Sequence, residues 1–173
     1  SQSVVAHIKA GNGEAGASEF KILLPNLVRQ GRFIRNMGVA PGNRLLYLYP
    51  EAGNEAAIGL YYPALPDQWP DIEHSIRQRQ PFLTGPLELT QGGRGLIYRI
   101  PVFLSDERYW GMVSTVLQID EIWQQLQQQA VALDSAVALR RHDGQQAGPW
   151  LFGELATEAH HAVLLELSLA GSS

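Results

Sequence analysis

The chain has 173 residues, 45% of them hydrophobic and 17% charged, enough for a real core in one domain with a smaller appendage. A formal net charge of −4, with no basic run longer than the Arg140-Arg141 pair, argues against nucleic-acid binding. The absence of cysteine excludes a disulfide scaffold, a Cys metal site and a Cys nucleophile, and it fits a bacterial extracytoplasmic domain. No apolar run reaches the ~18 residues of a membrane span and no signal peptide is visible, so the anchors of a membrane-bound parent are expected outside this chain.

Residues 1–17 read as a lead segment that becomes a Gly-rich loop at 11–18. Ser18 is then positioned to cap a helix over 18–31 carrying Phe20, Leu23, Leu24 and Leu27. Pro25 predicts a kink or a restart within it, because proline lacks the amide proton and clashes with the preceding turn; Gly31 ends it. Strands are expected at 45–49 and 56–62, joined through the Gly53-Asn54 turn as an antiparallel pair. Trp69, Ile72 and Ile76 recur at helical spacing within 67–80.

The stretch 83–117 is the most informative. Strands at 83–89, 95–104 and 109–118 alternate with turns at Gln91–Gly95 and Ser105–Arg108, which describes a three-stranded antiparallel meander. It feeds a helix over 120–133, capped by Asp120, with Ile119, Ile122, Trp123, Leu126 and Ala130 on one side. Short strands follow at 136–140, before an Asp143-Gly144 turn, and at 150–153 and 163–169. The fold class is therefore α+β: a five-stranded antiparallel sheet with helices on one side, then part of a second, smaller sheet.

Arg99 stands out in an apolar strand. Alternation puts Ile97, Arg99 and Pro101 on one face and Leu96, Tyr98 and Ile100 on the other. A buried guanidinium needs a partner. Two partners suit it: a ligand carboxylate or phosphate, or a cross-strand salt bridge with Glu88. Tyr61, Tyr62, Tyr98, Tyr109 and Trp110 are candidate pocket walls, with core packing the alternative for each. Pro101 removes a ladder amide and so marks an edge, a bulge or a locally open sheet.

Other patterns carry less. Gly92-Gly93-Arg94-Gly95 lies in a hairpin rather than before a helix, so it reads as a turn and not a phosphate loop. His160-His161 would point to opposite faces of a strand, and with His142 they lack companion carboxylates, so neither metal nor cofactor is expected. Glu51 and Glu55 flank a turn and read as solvated. No Gly-x-Ser-x-Gly elbow presents a nucleophile, and no nucleophile is paired with a base. The chain is expected not to be an enzyme.

Tyr49-Pro50-Glu51-Ala52-Gly53-Asn54-Glu55-Ala56-Ala57-Ile58-Gly59, Leu83-Thr84-Gly85-Pro86-Leu87-Glu88-Leu89, Gly92-Gly93, Pro101-Val102-Phe103 and Tyr109-Trp110-Gly111, in that order, resemble the CHASE family. These are extracytoplasmic sensory domains of membrane-bound histidine kinases, nucleotide cyclases and diguanylate cyclases. The resemblance implies a PAS-like, membrane-distal sensor module over 18–133 and a partial membrane-proximal PAS-like module over 134–173. It also implies a periplasmic location, membrane attachment only through flanking helices outside this chain, and a homodimer. In the plant cytokinin receptors of this family, one acidic ligand contact aligns with Tyr61, a pocket leucine with Leu89 and a polar contact with Arg99. Losing the acid and gaining an arginine argues against cytokinin and for a different, anionic small molecule. The expected ligand-binding residues are Tyr61, Leu89, Tyr98, Arg99 and Trp110; the alternative is a ligand-free dimerisation or protein-interaction module.

Overall fold

The computed structural model describes residues 1–132, 136–142 and 147–153. The chain divides into two compact units, Ser1–Gln118 and Ile119–Ser173.

The first unit opens with two helices, α1 (Gln2–Ala10) and α2 (Ala17–Gln30). Strands β1 (Ile34–Pro41) and β2 (Tyr47–Tyr49) follow, then helix α3 (Trp69–Gln78). Strands β3 (Phe82–Glu88), β4 (Arg94–Phe103) and β5 (Tyr109–Gln118) complete it. They form one antiparallel five-stranded sheet in the order β2-β1-β5-β4-β3. The fold class is the expected one, and the meander holds to within a residue at most strand ends.

Membership of the sheet differs from expectation. The fifth strand is β1, not residues 56–62. β1 contains Asn36, Gly38, Ala40 and Pro41, residue types depleted in strands. It is a strand because β2 and β5 pair with it from both sides and its middle is buried. Gly38 permits the close packing: a Cβ there would meet Leu45 Cδ1 at 2.6 Å and Ser114 Oγ at 3.0 Å. Residues 56–62 instead contribute to two 3₁₀ turns, Glu55–Ala57 and Tyr62–Ala64, with a single bridge from Arg44 to Tyr61. Their apolar side chains do not alternate: Ala57 and Tyr62 are buried, while Ile58 and Tyr61 are exposed.

Helical elements cover both faces of the sheet, not one. Residues 1–17, read as a lead segment, contain α1, whose Val4, Val5 and Ile8 are buried. They join Phe20 and Leu24 of α2 against Met37, Val39, Ile100, Val102 and Val113. One uninterrupted helix passes Pro25, so no restart occurs there. Its N-cap is Gly16 rather than Ser18, with the Gly16 amide donating to the Glu19 carboxylate at 2.9 Å. On the opposite face, Ala57, Tyr62 and Ile72 of α3 pack with Leu45, Ala40 and Met112.

In the second unit, helix α4 (Ile119–Ala132) is followed by an antiparallel pair, β6 (Leu139–His142) and β7 (Ala147–Phe152). Trp123 of α4 stacks on Phe152, with ring centroids 4.9 Å apart and planes 7° apart. The third expected strand, 163–169, the turn at 143–144 and His160-His161 lie outside the described residues.

Candidate ligand-binding site

Alternation along β4 sends Arg99 to the α3 face, where the register sets it between Phe82 of β3 and Ser114 of β5. Glu88 lies opposite Arg94, further along the ladder, so the expected Arg99–Glu88 pair across the strands does not form. β3 ends at Phe82, which leaves β4 unpaired on that side at Pro101, an edge position that tolerates proline.

Arg99 is only 3% exposed. Its Nη2 donates to Gln68 Oε1 at 2.7 Å. Its guanidinium carbon lies 5.3 Å from the Tyr62 ring centre and 5.8 Å from that of Phe82. Nε and Nη1 are buried and make no hydrogen bond. Burial draws the guanidinium below its ordinary pKa, while Tyr62 and Asp71 push it back toward the charged form. The two aromatic faces offer a cation–π environment, but Gln68, a neutral acceptor, is the hydrogen-bond partner. Desolvating a charged group without a matched anion costs several kcal/mol, so a site of this kind has its electrostatics set up for an incoming acceptor.

Arg99 borders a cleft of about 40 Å³ that also touches Leu89, Asn36, Gln68 and Ser114. Asn36 and Ser114 are themselves buried polar residues. The Ser114 hydroxyl makes a single long contact, 3.5 Å to the Gly38 carbonyl. Asn36 Nδ2 donates to Asn54 Oδ1 at 2.9 Å, and Asn54 Nδ2 to the Pro50 carbonyl at 3.0 Å.

Arg35 straps the rim. Its Nε donates to Asn54 Oδ1 at 3.0 Å and its Nη2 to the carbonyls of Gly53 at 3.3 Å and Gln91 at 3.0 Å. Its Nη1 donates to the Gly92 carbonyl. One side chain thus ties the 53–54 turn to the β3–β4 hairpin. The β1 register shifts between Ile34 and Asn36, an irregularity that re-aims a side chain at the sheet edge.

The five sequence-expected positions separate. Leu89 and Arg99 meet at the cleft. Tyr61 is 42% exposed, with the Arg44 guanidinium 4.9 Å from its ring centre. Tyr98 and Trp110 pack on the α1/α2 face, and Trp110 Nε1 donates to the Gly13 carbonyl at 3.0 Å. Strand parity alone would put Trp110 with Met112, but the ladder shifts register between Val102 and Phe103. Asn36, Gln68 and Ser114 border the cleft without having been among the expected positions. The one available signal was a polar residue inside an otherwise apolar run, as at Asn36 and Ser114.

Among the described residues no group of three or more His, Cys, Asp or Glu is arranged to hold a metal, and no helix is long and apolar enough to cross a membrane. The CHASE domain family profile matches residues 13–152. The chain belongs to the CHASE domain family. It is thus an extracytoplasmic sensory domain rather than a catalytic one. No curated protein matches the chain. Among solved structures, it is similar to an extracellular ligand-binding receptor from Desulfohalobium retbaense DSM5692, at 20% identity and a TM-score of 0.55, over 68% of this chain and 21% of that one. It is also similar to the extracellular domain of rpHK1S-Z16, described as a histidine kinase, at 14% identity and a TM-score of 0.56, over 73% of this chain and 50% of that one. The CHASE chain spans about a fifth and a half, respectively, of these structures, and at such identities they share its fold.

Proposed function

We propose that this CHASE domain is the periplasmic, ligand-sensing part of an inner-membrane receptor, a diguanylate cyclase or a histidine kinase. Its ligand is a small anionic molecule held at Arg99 between the sheet and the 57–68 segment, and its binding biases two arrangements of the domain that the membrane-linked helices read out. One observation carries this reading: a buried guanidinium beside a cleft, whose Nη2 donates to the neutral Gln68 while its Nε and Nη1 have no hydrogen bond. A buried charge left this way is stable only if the surrounding structure compensates, and a bound anion does so directly. Membership of a sensory family and the description of one structural neighbour as a ligand-binding receptor support the same reading.

The narrowness of the cleft favours a second reading, a ligand-free module that signals by dimerisation or protein contact. Thermal unfolding across a panel of organic and inorganic anions separates the two. A dose-dependent rise in Tm that disappears in Arg99→Met supports ligand sensing. No rise with any anion, together with concentration-dependent self-association of the chain, supports the module.

A further inference from the structure

We infer that the anion taken at Arg99 is a short-chain monocarboxylate of about three to five non-hydrogen atoms, acetate or propionate in size, selected by a rim that Arg35 holds closed. This rests on the reading of Arg99 as an anion site and adds the ligand's class and size.

Volume sets the size. A cleft of about 40 Å³ compares with the roughly 10–15 Å³ needed per water, which leaves room for about three water-sized groups. Most ligand pockets are about ten times larger, so sugars, nucleotides and aromatic acids are excluded without opening of the rim. Displacing the neutral Gln68 acceptor from Nη2 adds room for one or two atoms beside the guanidinium.

Polarity sets the class. The cleft's lining holds one buried guanidinium, the neutral polar Ser114 and Asn36, and one carboxylate residue, Glu88, which further disfavours a multiply charged anion. One cation matches one negative charge; a phosphate dianion would stay under-neutralised in a buried site. Leu89, Ile97 and Val116, which pack together, give the cleft an apolar part of its lining. Chloride or nitrate would leave these side chains facing a void, whereas a methyl or ethyl group fills it.

The rim is fixed rather than elastic because one guanidinium joins both of its sides. Arg35 bonds Gly53 and Asn54 on one side and Gln91 and Gly92 on the other. Gln91 itself borders the cleft, and Asn54 holds the cleft residue Asn36. Lengthening the ligand therefore requires breaking this strap.

The test is calorimetric titration of the 173-residue chain with acetate, propionate, hexanoate, benzoate, chloride and phosphate. Acetate or propionate should bind at least about tenfold more tightly than hexanoate or benzoate, a range that one or a few methylenes can produce in a fitted pocket. In Arg35→Ala this preference should collapse, with hexanoate gaining about tenfold. Leu89→Phe, which fills the cleft and keeps Arg99, should abolish acetate binding and so guards against misfolding of an Arg99 variant. Tighter binding of hexanoate, benzoate or phosphate than of acetate or propionate overturns the size and class assignment and leaves Arg99 as an anion site. Binding of none of these anions by a folded chain overturns the anion site itself, and acetate binding unchanged in Leu89→Phe overturns the location.

Discussion

The two faces of the sheet are made from the same strands and each buries an apolar cluster, yet they differ in the polar groups buried alongside it. Toward α1 and α2 the interior is almost wholly aliphatic and aromatic, with Phe20 tilted against Tyr47 at 4.9 Å. Polar groups placed there are paired: Trp110 Nε1 donates to the Gly13 carbonyl, and the Thr115 hydroxyl, opposite Tyr98 in the ladder, hydrogen-bonds that of Ser1. Toward α3 the sheet buries Arg99, Asn36 and Ser114, and Arg99 has two nitrogens without acceptors. Burial of apolar surface stabilises; burial of an unmatched charge does the reverse. Both faces bury apolar surface that stabilises the fold, and the second also carries the cost of an unmatched charge, which a bound anion would offset.

Substitutions on each face sharpen this contrast. The largest effect is expected from Phe20→Ala, which removes a fully buried ring from the aliphatic face. It should lower unfolding free energy by ~3–5 kcal/mol in urea titrations while leaving anion affinity unchanged. Arg99→Met should do the opposite on both counts: stability unchanged or raised by up to about 2 kcal/mol, because a buried charge gives way to a packed thioether, and anion binding lost. Trp110→Phe, which deletes the bond to Gly13, should cost about 1–2 kcal/mol with no change in anion affinity.

The smallest expected effect is a pH dependence. Burial pushes the Tyr109 hydroxyl well above its ordinary range, with the field of Tyr62 adding to it, and the hydroxyl donates to Asn43 Oδ1 at 2.5 Å. Burial also raises Tyr98. Both groups keep their protons in the folded state at pH values where the unfolded chain loses them. Their contribution is therefore fully present below about pH 10 and declines as pH rises above it. Urea midpoints measured at pH 9 and pH 11 should fall with pH, and Tyr109→Phe should flatten that fall, leaving a smaller slope from Tyr98.

How much of this was legible in the sequence follows from where each element gets its order. The meander was readable because its strands are rich in aliphatic and aromatic residues and its turns carry glycine and acidic residues; β3, β4 and β5 match. β1 was not readable, since its strand state comes from pairing on both sides rather than from its own residues. α1 is short, its N-cap side chain makes no capping bond to the helix, and its Val4, Val5 and Ile8 declare themselves only against the sheet. The same division runs through the candidate site. Arg99 lies on a recognisable strand and Leu89 directly follows one, and both reach the cleft. Asn36 belongs to the unrecognised strand, and Gln68 comes from the turn before α3, so neither could be placed beside Arg99 in advance. Tyr61, Tyr98 and Trp110 were attractive as aromatic walls, but two are packed in the other face and one is at the surface.

The most direct test of the central claim is the unfolding free energy of the chain and of Arg99→Met, each measured with and without saturating acetate. The variant is expected to be at least as stable as the parent without acetate, and acetate should stabilise the parent alone. A variant several kcal/mol less stable than the parent without acetate, with the same acetate response in both, would contradict it and make Arg99 a structural residue.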